Sequence, residues 1–192
     1  MLLLLTGCSL LNPGPKPKEV CATRTAEAVT AWKDVADYFD RMAEMKEPDV
    51  LVAEANAEEA TTRRMNAQGS RSTWQKRKTT GLIDLKTGEE RKDPNAVKDL
   101  EVLRQEAGAR VEVRTDEEAE LLATAMELRT EYDGVLADAA RAHEVVDALR
   151  DEPLDTAWLT SREAATDLVS TELTLMARVA TDEANEACSA IR

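Results

Sequence analysis

The sequence predicts an all-α protein: an elongated antiparallel bundle of three long helices, with a broken fourth element and a small β-hairpin. Of the 192 residues, 33% are charged and only 3% are aromatic. Alanine dominates the apolar residues, and they recur along much of the chain at spacings of four and three. This combination is typical of long helices that pack through small side chains.

The first predicted helix begins near Lys18, and its apolar residues form a seam of the coiled-coil type. The members of this seam are Cys21, Thr25, Ala28, Trp32, Val35, Phe39 and Met42. The pattern loses phase at Pro48, where we expect the helix to kink or a new helix to begin. Residues 50–68 are helical by propensity, but their apolar face is weak.

Glycine and proline interrupt residues 69–95, which are predicted to form an irregular insertion. Within it, residues 79–89 fit a β-hairpin. A short helix is predicted from Pro94 to Ala107, followed by extended chain at residues 111–113.

Two helices of about 35 residues follow. The first starts at a capping box on Thr115 and carries a strict four–three stripe: Leu121, Ala125, Leu128, Tyr132, Val135, Ala139, Ala142, Val146 and Leu149. It ends before Pro153. The second starts at Asp155 or Thr156, and its apolar face includes Trp158, Ala165, Val169, Leu173, Met176, Ala180, Ala184 and Ala187, with Leu168, Leu175 and Val179 beside it.

The short link at 151–155 predicts that these two helices are antiparallel neighbours. If the last helix ends beside the start of the first, the first helix and the helix at 116–150 run parallel, and residues 48–114 return the chain. In that arrangement Trp32 lies level with Met176, and Phe39 lies level with Leu168 and Val169.

The N-terminal tetrapeptide Leu5-Thr6-Gly7-Cys8 resembles a lipobox, the site at which bacterial lipoprotein signal peptides are cut. The resemblance implies that Cys8 becomes a lipidated N-terminus and that residues 1–7 are a residual signal segment. The segment departs from the family pattern because it has no Lys or Arg before Cys8 and only four leucines. A start codon placed too late would explain this. The alternative is a chance cysteine after an apolar N-terminus.

Residues 8–18 are predicted to be the lipid anchor and a tether, because three prolines and a glycine make a semi-rigid spacer. Residues 19–192 would then be a single helical-bundle domain, with a basic insertion at about 63–95. No segment after the tether reaches the about 20 apolar residues of a transmembrane helix. We therefore expect an exported domain anchored to the outer face of the cell membrane.

Two cysteines remain if Cys8 is lipidated, and pairing in an exported protein predicts a Cys21–Cys188 disulfide. Such a bond would bring the start of the first helix to the end of the last one. The alternative is a pair of buried free thiols at two helix ends.

The net charge of −13 argues against a nucleic-acid-binding protein. His143 and Asp147 have half of a metal site at best, since a structural metal needs about four ligands. Carboxylate pairs such as Glu117/Glu118 and Asp182/Glu183 are typical of a solvated helix face. Nucleophile, Walker and dinucleotide motifs are missing, so we expect a non-enzyme without a cofactor.

One stretch has the opposite charge, with no acid among its basic residues and a tryptophan between them: Arg63, Arg64, Arg71, Trp74, Lys76, Arg77 and Lys78. One interpretation is a contact surface for anionic lipid, an anionic wall polymer or an acidic partner. The other is a mobile loop that is complemented by the acidic bundle.

Together these features predict a lipid-anchored, non-enzymatic module for protein or envelope contacts. The many Ala and Arg residues and only two Ile suggest a GC-rich genome, so we expect an actinobacterium or one of its phages, where a surface lipoprotein could block superinfection. The alternative is a bundle that holds a small ligand in a core pocket, lined by Trp32, Tyr38, Tyr132 or Trp158.

Overall fold

A computed structural model describes residues 16–76 and 94–191, and the regular structure in these residues is helical. Helix α1 is Pro17–Lys76, α2 is Pro94–Asp151, α3 is Leu154–Asp167 and α4 is Glu172–Ser189. The all-α prediction is therefore confirmed. The predicted hairpin at 79–89 and the lipobox lie outside the described residues.

The described chain divides into two compact units. The bundle unit contains the residues up to Ala43 together with those from Gly134 onward. The two-helix unit is Glu44–Asp133. Because α1 and α2 extend into both units, each unit contains a segment of both helices.

In the bundle unit, contacts between side chains define the direction of each helix. The disulfide between Cys21 and Cys188 and the contact between Trp32 and Thr181 make α1 and α4 antiparallel. His143 Nε2 of α2 lies 2.9 Å from Asp40 Oδ2 of α1, and further along the same two helices Lys46 pairs with Glu131, so α1 and α2 are antiparallel as well. The prediction that these two helices run parallel was wrong, because it assumed that the last helix was unbroken.

The last helix is instead a helical hairpin, since residues 168–171 are not helical. The indole Nε1–H of Trp158 in α3 donates to Asp182 Oδ1 in α4 at 2.8 Å, which requires the two helices to lie side by side. In a continuous helix these residues would be about 36 Å apart. The four helix segments therefore alternate in direction, as in an up-down-up-down bundle.

A capping box explains why a new helix begins after the break. The Thr171 hydroxyl accepts from the Thr174 backbone N–H at 3.1 Å, and the Thr174 hydroxyl accepts from the Thr171 N–H at 2.8 Å. These bonds satisfy backbone donors that the first turn of a helix leaves free. The predicted caps at Asp155 and Thr156 were wrong, because α3 begins at Leu154 after Pro153 without a side-chain cap.

The break also changes which side chains face the core. The buried positions of α3 and α4 are all small or polar: Ala157, Ser161, Ala164, Thr174, Ala177, Thr181, Ala184 and Cys188. The larger Leu168 is buried in the break between the two helices. Several residues predicted to be on the apolar face are exposed instead, namely Val169, Leu175, Met176 and Val179. Small residues face the core because both helices of the hairpin, α3 and α4, must pack closely against each other and against α1 and α2.

Trp32 is the largest side chain of this core and has no exposed surface. It packs among small residues that leave room for an indole, including Ala28, Ala142 and Ala177. Its Nε1–H donates to Thr181 Oγ1 at 2.9 Å, and Thr181 in turn donates to the Ala177 carbonyl at 2.9 Å. Trp32 therefore lies level with Thr181, and the predicted level at Met176 was wrong.

The predicted disulfide is present, with Cα atoms 4.7 Å apart and a sequence separation of 167 between the two cysteines. It ties the first turns of α1 to the last turns of α4. In the chain-entropy description, closing a loop of this length stabilises the fold by up to about 5 kcal/mol.

In the two-helix unit, α1 and α2 continue where the sequence predicted interruptions. Pro48 lies inside α1 and is exposed, so residues 48–68 extend the first helix. Residues 111–113, predicted to be extended, are helical, and Thr115 lies inside α2 rather than at its start. Its hydroxyl donates to the Val111 carbonyl four residues earlier at 2.8 Å. A threonine inside a helix makes this bond instead of capping a helix start.

Removing the hydroxyl that accepts from Trp32 should destabilise the bundle unit. Thr181→Val leaves a buried indole N–H without its partner, and this costs about 1–3 kcal/mol in free energy of unfolding. Urea denaturation measures the loss, with Thr166→Val as the control, because Thr166 is exposed and its hydroxyl also bonds only the carbonyl four residues earlier. The double variant Trp32→Phe/Thr181→Val, compared with the two single variants, measures the coupling free energy between the indole and the hydroxyl. If the losses of the two single variants simply add up to the loss of the double variant, the bond does not have this role.

Candidate interaction surface

The two-helix unit is held together by a narrow seam of small side chains. Val50, Ala57 and Ala60 of α1 are buried, as are Ala107 and Val111 of α2. Ion pairs cross the seam at several levels, and the residue number on α2 decreases as the residue number on α1 increases: Lys46–Glu131, Glu54–Arg129 and Arg63–Glu117. The two helices are therefore antiparallel here.

One ion pair lies in the seam itself. Arg64 and Glu118 form a salt bridge, and Glu118 is only 8% exposed. The Thr61 hydroxyl, which donates to the Ala57 carbonyl at 3.1 Å, lies beside this carboxylate. The Thr61 hydroxyl, followed by the ion pair with Arg64, holds the pKa of Glu118 below its ordinary value, although burial opposes this. A buried pair of this kind favours one register of the two helices over others.

The basic residues predicted to form a contact surface differ in their surroundings. Residues 63–76 are helical, so this part of the predicted insertion belongs to α1. Arg63 pairs with Glu59 as well as with Glu117, and Arg64 pairs with Glu118. Arg77 and Lys78 lie outside the described residues.

The remaining basic residues are near the end of α1. Arg71 and Lys76 are exposed, and neither forms an ion pair within the described residues. Trp74 is half-buried, and its carbonyl accepts from Arg104 Nε at 3.2 Å. The structure thus separates the basic residues into a paired group at 63–64 and an exposed group at 71–76.

The two-helix unit also has a groove that the sequence did not predict. Its floor is apolar, from Ala57 on α1 and Leu122, Ala125 and Met126 on α2. Glu54, Glu58, Thr61, Arg129 and Thr130 complete the lining of a space of about 490 Å³. Leu122 is 43% exposed and Met126 is 69% exposed. The sequence did contain a signal for this groove. Leu122 and Met126 each directly follow a position of the predicted stripe, 121 and 125, and so widen the apolar face of α2 on one side.

In the described part of the bundle unit, the core around Trp32 is closed. Trp32 is fully buried and fills the middle of the core, and the grooves at α2 and α4 are lined by neither Trp32 nor Trp158. The groove on α4 is formed by Leu175, Met176 and Val179 between Glu172 and Glu183.

His143 lies in a shallow polar groove of the bundle unit, with Glu144, Asp147, Asp151 and Glu152 nearby. Its Nε2 is 2.9 Å from Asp40 Oδ2, whereas Asp147 is 3.6 Å from Arg150. His143 and Asp147 therefore contact two different residues, Asp40 and Arg150. Within residues 16–76 and 94–191, no group of three or more His, Cys, Asp or Glu side chains is placed to hold a metal ion.

No protein-family model, curated protein or solved structure matches this chain. In the part of the chain that the structure describes, no helix combines the length and apolar character needed to cross a membrane.

The Glu118 site makes the stability of the two-helix unit sensitive to acid. Because the pKa of Glu118 is lower in the folded than in the unfolded chain, its contribution is complete above about pH 5 and is lost as the pH falls through the folded pKa. We expect Glu118→Gln to lower stability at pH 7 and to reduce this acid sensitivity.

Thermal unfolding followed by far-UV circular dichroism across pH 3–7, a range of about four units around the glutamate pKa, measures the effect. Glu120→Gln is the matched control, since Glu120 is exposed on the same helix and has no ion pair in the described residues. Equal acid profiles for the parent and Glu118→Gln would contradict the role assigned to this carboxylate.

Proposed function

We propose that this protein is a lipid-anchored, exported, non-enzymatic module that acts through contacts with proteins or with the cell envelope. The observation that carries the proposal is the pairing of Cys21 with Cys188, which leaves Cys8 of the lipobox-like tetrapeptide as the remaining cysteine of three. Disulfides persist in oxidising compartments outside the cytosol. Cys8 lies outside the disulfide and at the lipobox-like site, and its Sγ is the atom that would receive the lipid.

The anchor and the fold support the same interpretation. A diacylglyceryl group supplies two acyl chains, enough for stable attachment. Residues 12–16, which precede α1, contain two prolines, a glycine and a lysine, and this composition suits a spacer next to anionic headgroups. The disulfide lies close to this end of α1, so it would secure the domain at the point where the tether pulls.

The proposed envelope contact uses the exposed basic group at the end of α1. Arg71 and Lys76 are exposed and have no ion pair among the described residues, and residues 77 and 78 add two further positive charges in the sequence. Anionic lipid attracts such a segment by about 1 kcal/mol per basic residue near the surface. A surface lipoprotein encoded by an actinobacterial phage or prophage remains our proposal for its biological setting.

The alternative of a ligand-binding bundle receives less support. Its predicted pocket required space beside the core aromatics, but Trp32 is fully enclosed and hydrogen-bonded to Thr181. A small ligand would have to displace well-packed side chains. An open surface suits a macromolecular partner better.

Lipidation of Cys8 is directly testable on the native protein. Mass spectrometry of protein extracted from membranes should find an N-terminal Cys8 carrying a diacylglyceryl group, and Cys8→Ser should leave the membrane fraction. Cys21→Ser/Cys188→Ser is the control, because it removes the two disulfide-bonded cysteines but keeps the lipobox. An intact, unmodified Met1 in the membrane-extracted protein would refute the anchor.

The basic group can be tested separately in protein without a lipid. Arg71→Gln/Lys76→Gln should reduce pelleting with phosphatidylglycerol-containing vesicles by about fivefold or more, since each lost charge weakens attraction to the surface. Arg63→Gln/Arg110→Gln is the matched control, because it removes two exposed arginines that already pair with Glu59 and Glu106. Equal binding by the parent and Arg71→Gln/Lys76→Gln would show that these residues do not contact anionic lipid.

A further inference from the structure

The groove of the two-helix unit lies beside a seam that only two helices form in the described residues. A helix hairpin buries one seam on each helix, and a fully enclosed core requires further helices to cover its sides. In the bundle unit α3 and α4 lie against α1 and α2. In the described part of the two-helix unit, only segments of α1 and α2 are present.

The groove has opposite chemical character on its two sides. The α1 side presents small and acidic groups: Ala57 and Thr61 in the floor, with Glu54 and Glu58 at the rim. The α2 side presents the large apolar side chains of Leu122 and Met126, together with Arg129. Arg129 is 3.5 Å from Glu54, whereas Glu58 has no ion pair among the described residues.

This asymmetry makes the groove complementary to itself. A two-fold rotation about an axis parallel to the helices places α1 of one copy over α2 of the other at the same level. Leu122 and Met126 of each copy then meet Ala57 and Thr61 of the other, so that large side chains enter spaces beside small ones. The rotation also brings each Arg129 towards the acidic rim that carries Glu58.

The other two-fold arrangement is disfavoured by charge. Rotation about an axis across the helices would place α1 over α1, and Glu54 and Glu58 would face their own copies. Like charges at an interface cost binding free energy and suppress that geometry. The first arrangement is the isologous contact expected of a symmetric dimer.

We propose that two copies of this chain dimerise through this groove, forming an antiparallel four-helix arrangement in which α1 of one copy covers α2 of the other. The proposal goes beyond the proposed function, because it depends on neither the lipid nor the basic group. A dimer would carry two tethers, and two lipid anchors would raise the strength of membrane attachment by multivalency.

Sedimentation equilibrium of the full chain with Cys8→Ser tests the assembly. The parent should be dimeric, and Met126→Glu should weaken dimerisation by at least about tenfold, because it places an unpaired carboxylate in an apolar contact. Val113→Glu is the matched control, since Val113 is 63% exposed on the same helix but lies outside the groove. Far-UV circular dichroism checks that both variants fold.

Crosslinking tests the orientation. In the Cys8→Ser background, a mixture of Glu58→Cys and Met126→Cys chains should form a mixed disulfide at least about fivefold more efficiently than either chain alone, which the arrangement of α1 over α2 requires. A monomeric parent, equal effects of Met126→Glu and Val113→Glu, or efficient self-crosslinking of Glu58→Cys would each overturn the proposal.

Discussion

Close approach between helices with small side chains in their seams is the constraint on which both units depend. Alanine recurs at the contact positions of α1 and α2, and a Val or Leu occupies the wider places between them. An alanine seam buries little apolar area per residue, so long helices are needed to accumulate enough of it. This explains why a chain with 3% aromatic residues uses two helices of 60 and 58 residues.

The bundle unit differs from this alanine packing at one position, Trp32. Trp32 supplies a large apolar surface, and the surrounding alanines make the space for it. Its single polar atom finds a partner in Thr181, so burial of the indole leaves no unsatisfied N–H. The disulfide lies along the same pair of helices, α1 and α4, and adds a covalent constraint where packing thins towards the helix ends.

The same constraint explains why the candidate surfaces lie in the two-helix unit. Two helices cover each other along one seam only, so residues beside the seam remain accessible. Charge pairs then carry more of the specificity: Arg64–Glu118 within the seam, and Lys46–Glu131 and Glu54–Arg129 across it. Such pairs define alignment more than they add stability. A surface aligned in this way is suited to repeated recognition of one partner.

Local periodicity was enough to identify the helices and much of the core. The four–three stripe from Leu121 to Leu149 and the seam from Cys21 to Phe39 indicated the inward faces of α1 and α2, because a helix repeats every 3.6 residues. The count and positions of the cysteines indicated the bond between Cys21 and Cys188. These features depend only on neighbours along the chain or on covalent pairing.

Tertiary contacts decided where helices end and which way they run. Pro48 and the Thr115 capping pattern resembled boundaries, yet packing of α1 against α2 keeps both helices continuous, because seam contacts outweigh a local propensity. The sequence predicted that Thr171 lies inside a helix. It instead caps the start of α4, because α3 folds back against α4 and brings Trp158 to Asp182. The sequence by itself determined the helical class, the seams and the disulfide; only the tertiary structure decided the hairpin at 168–171, the antiparallel pairing and the groove, since each depends on residues far apart in the chain.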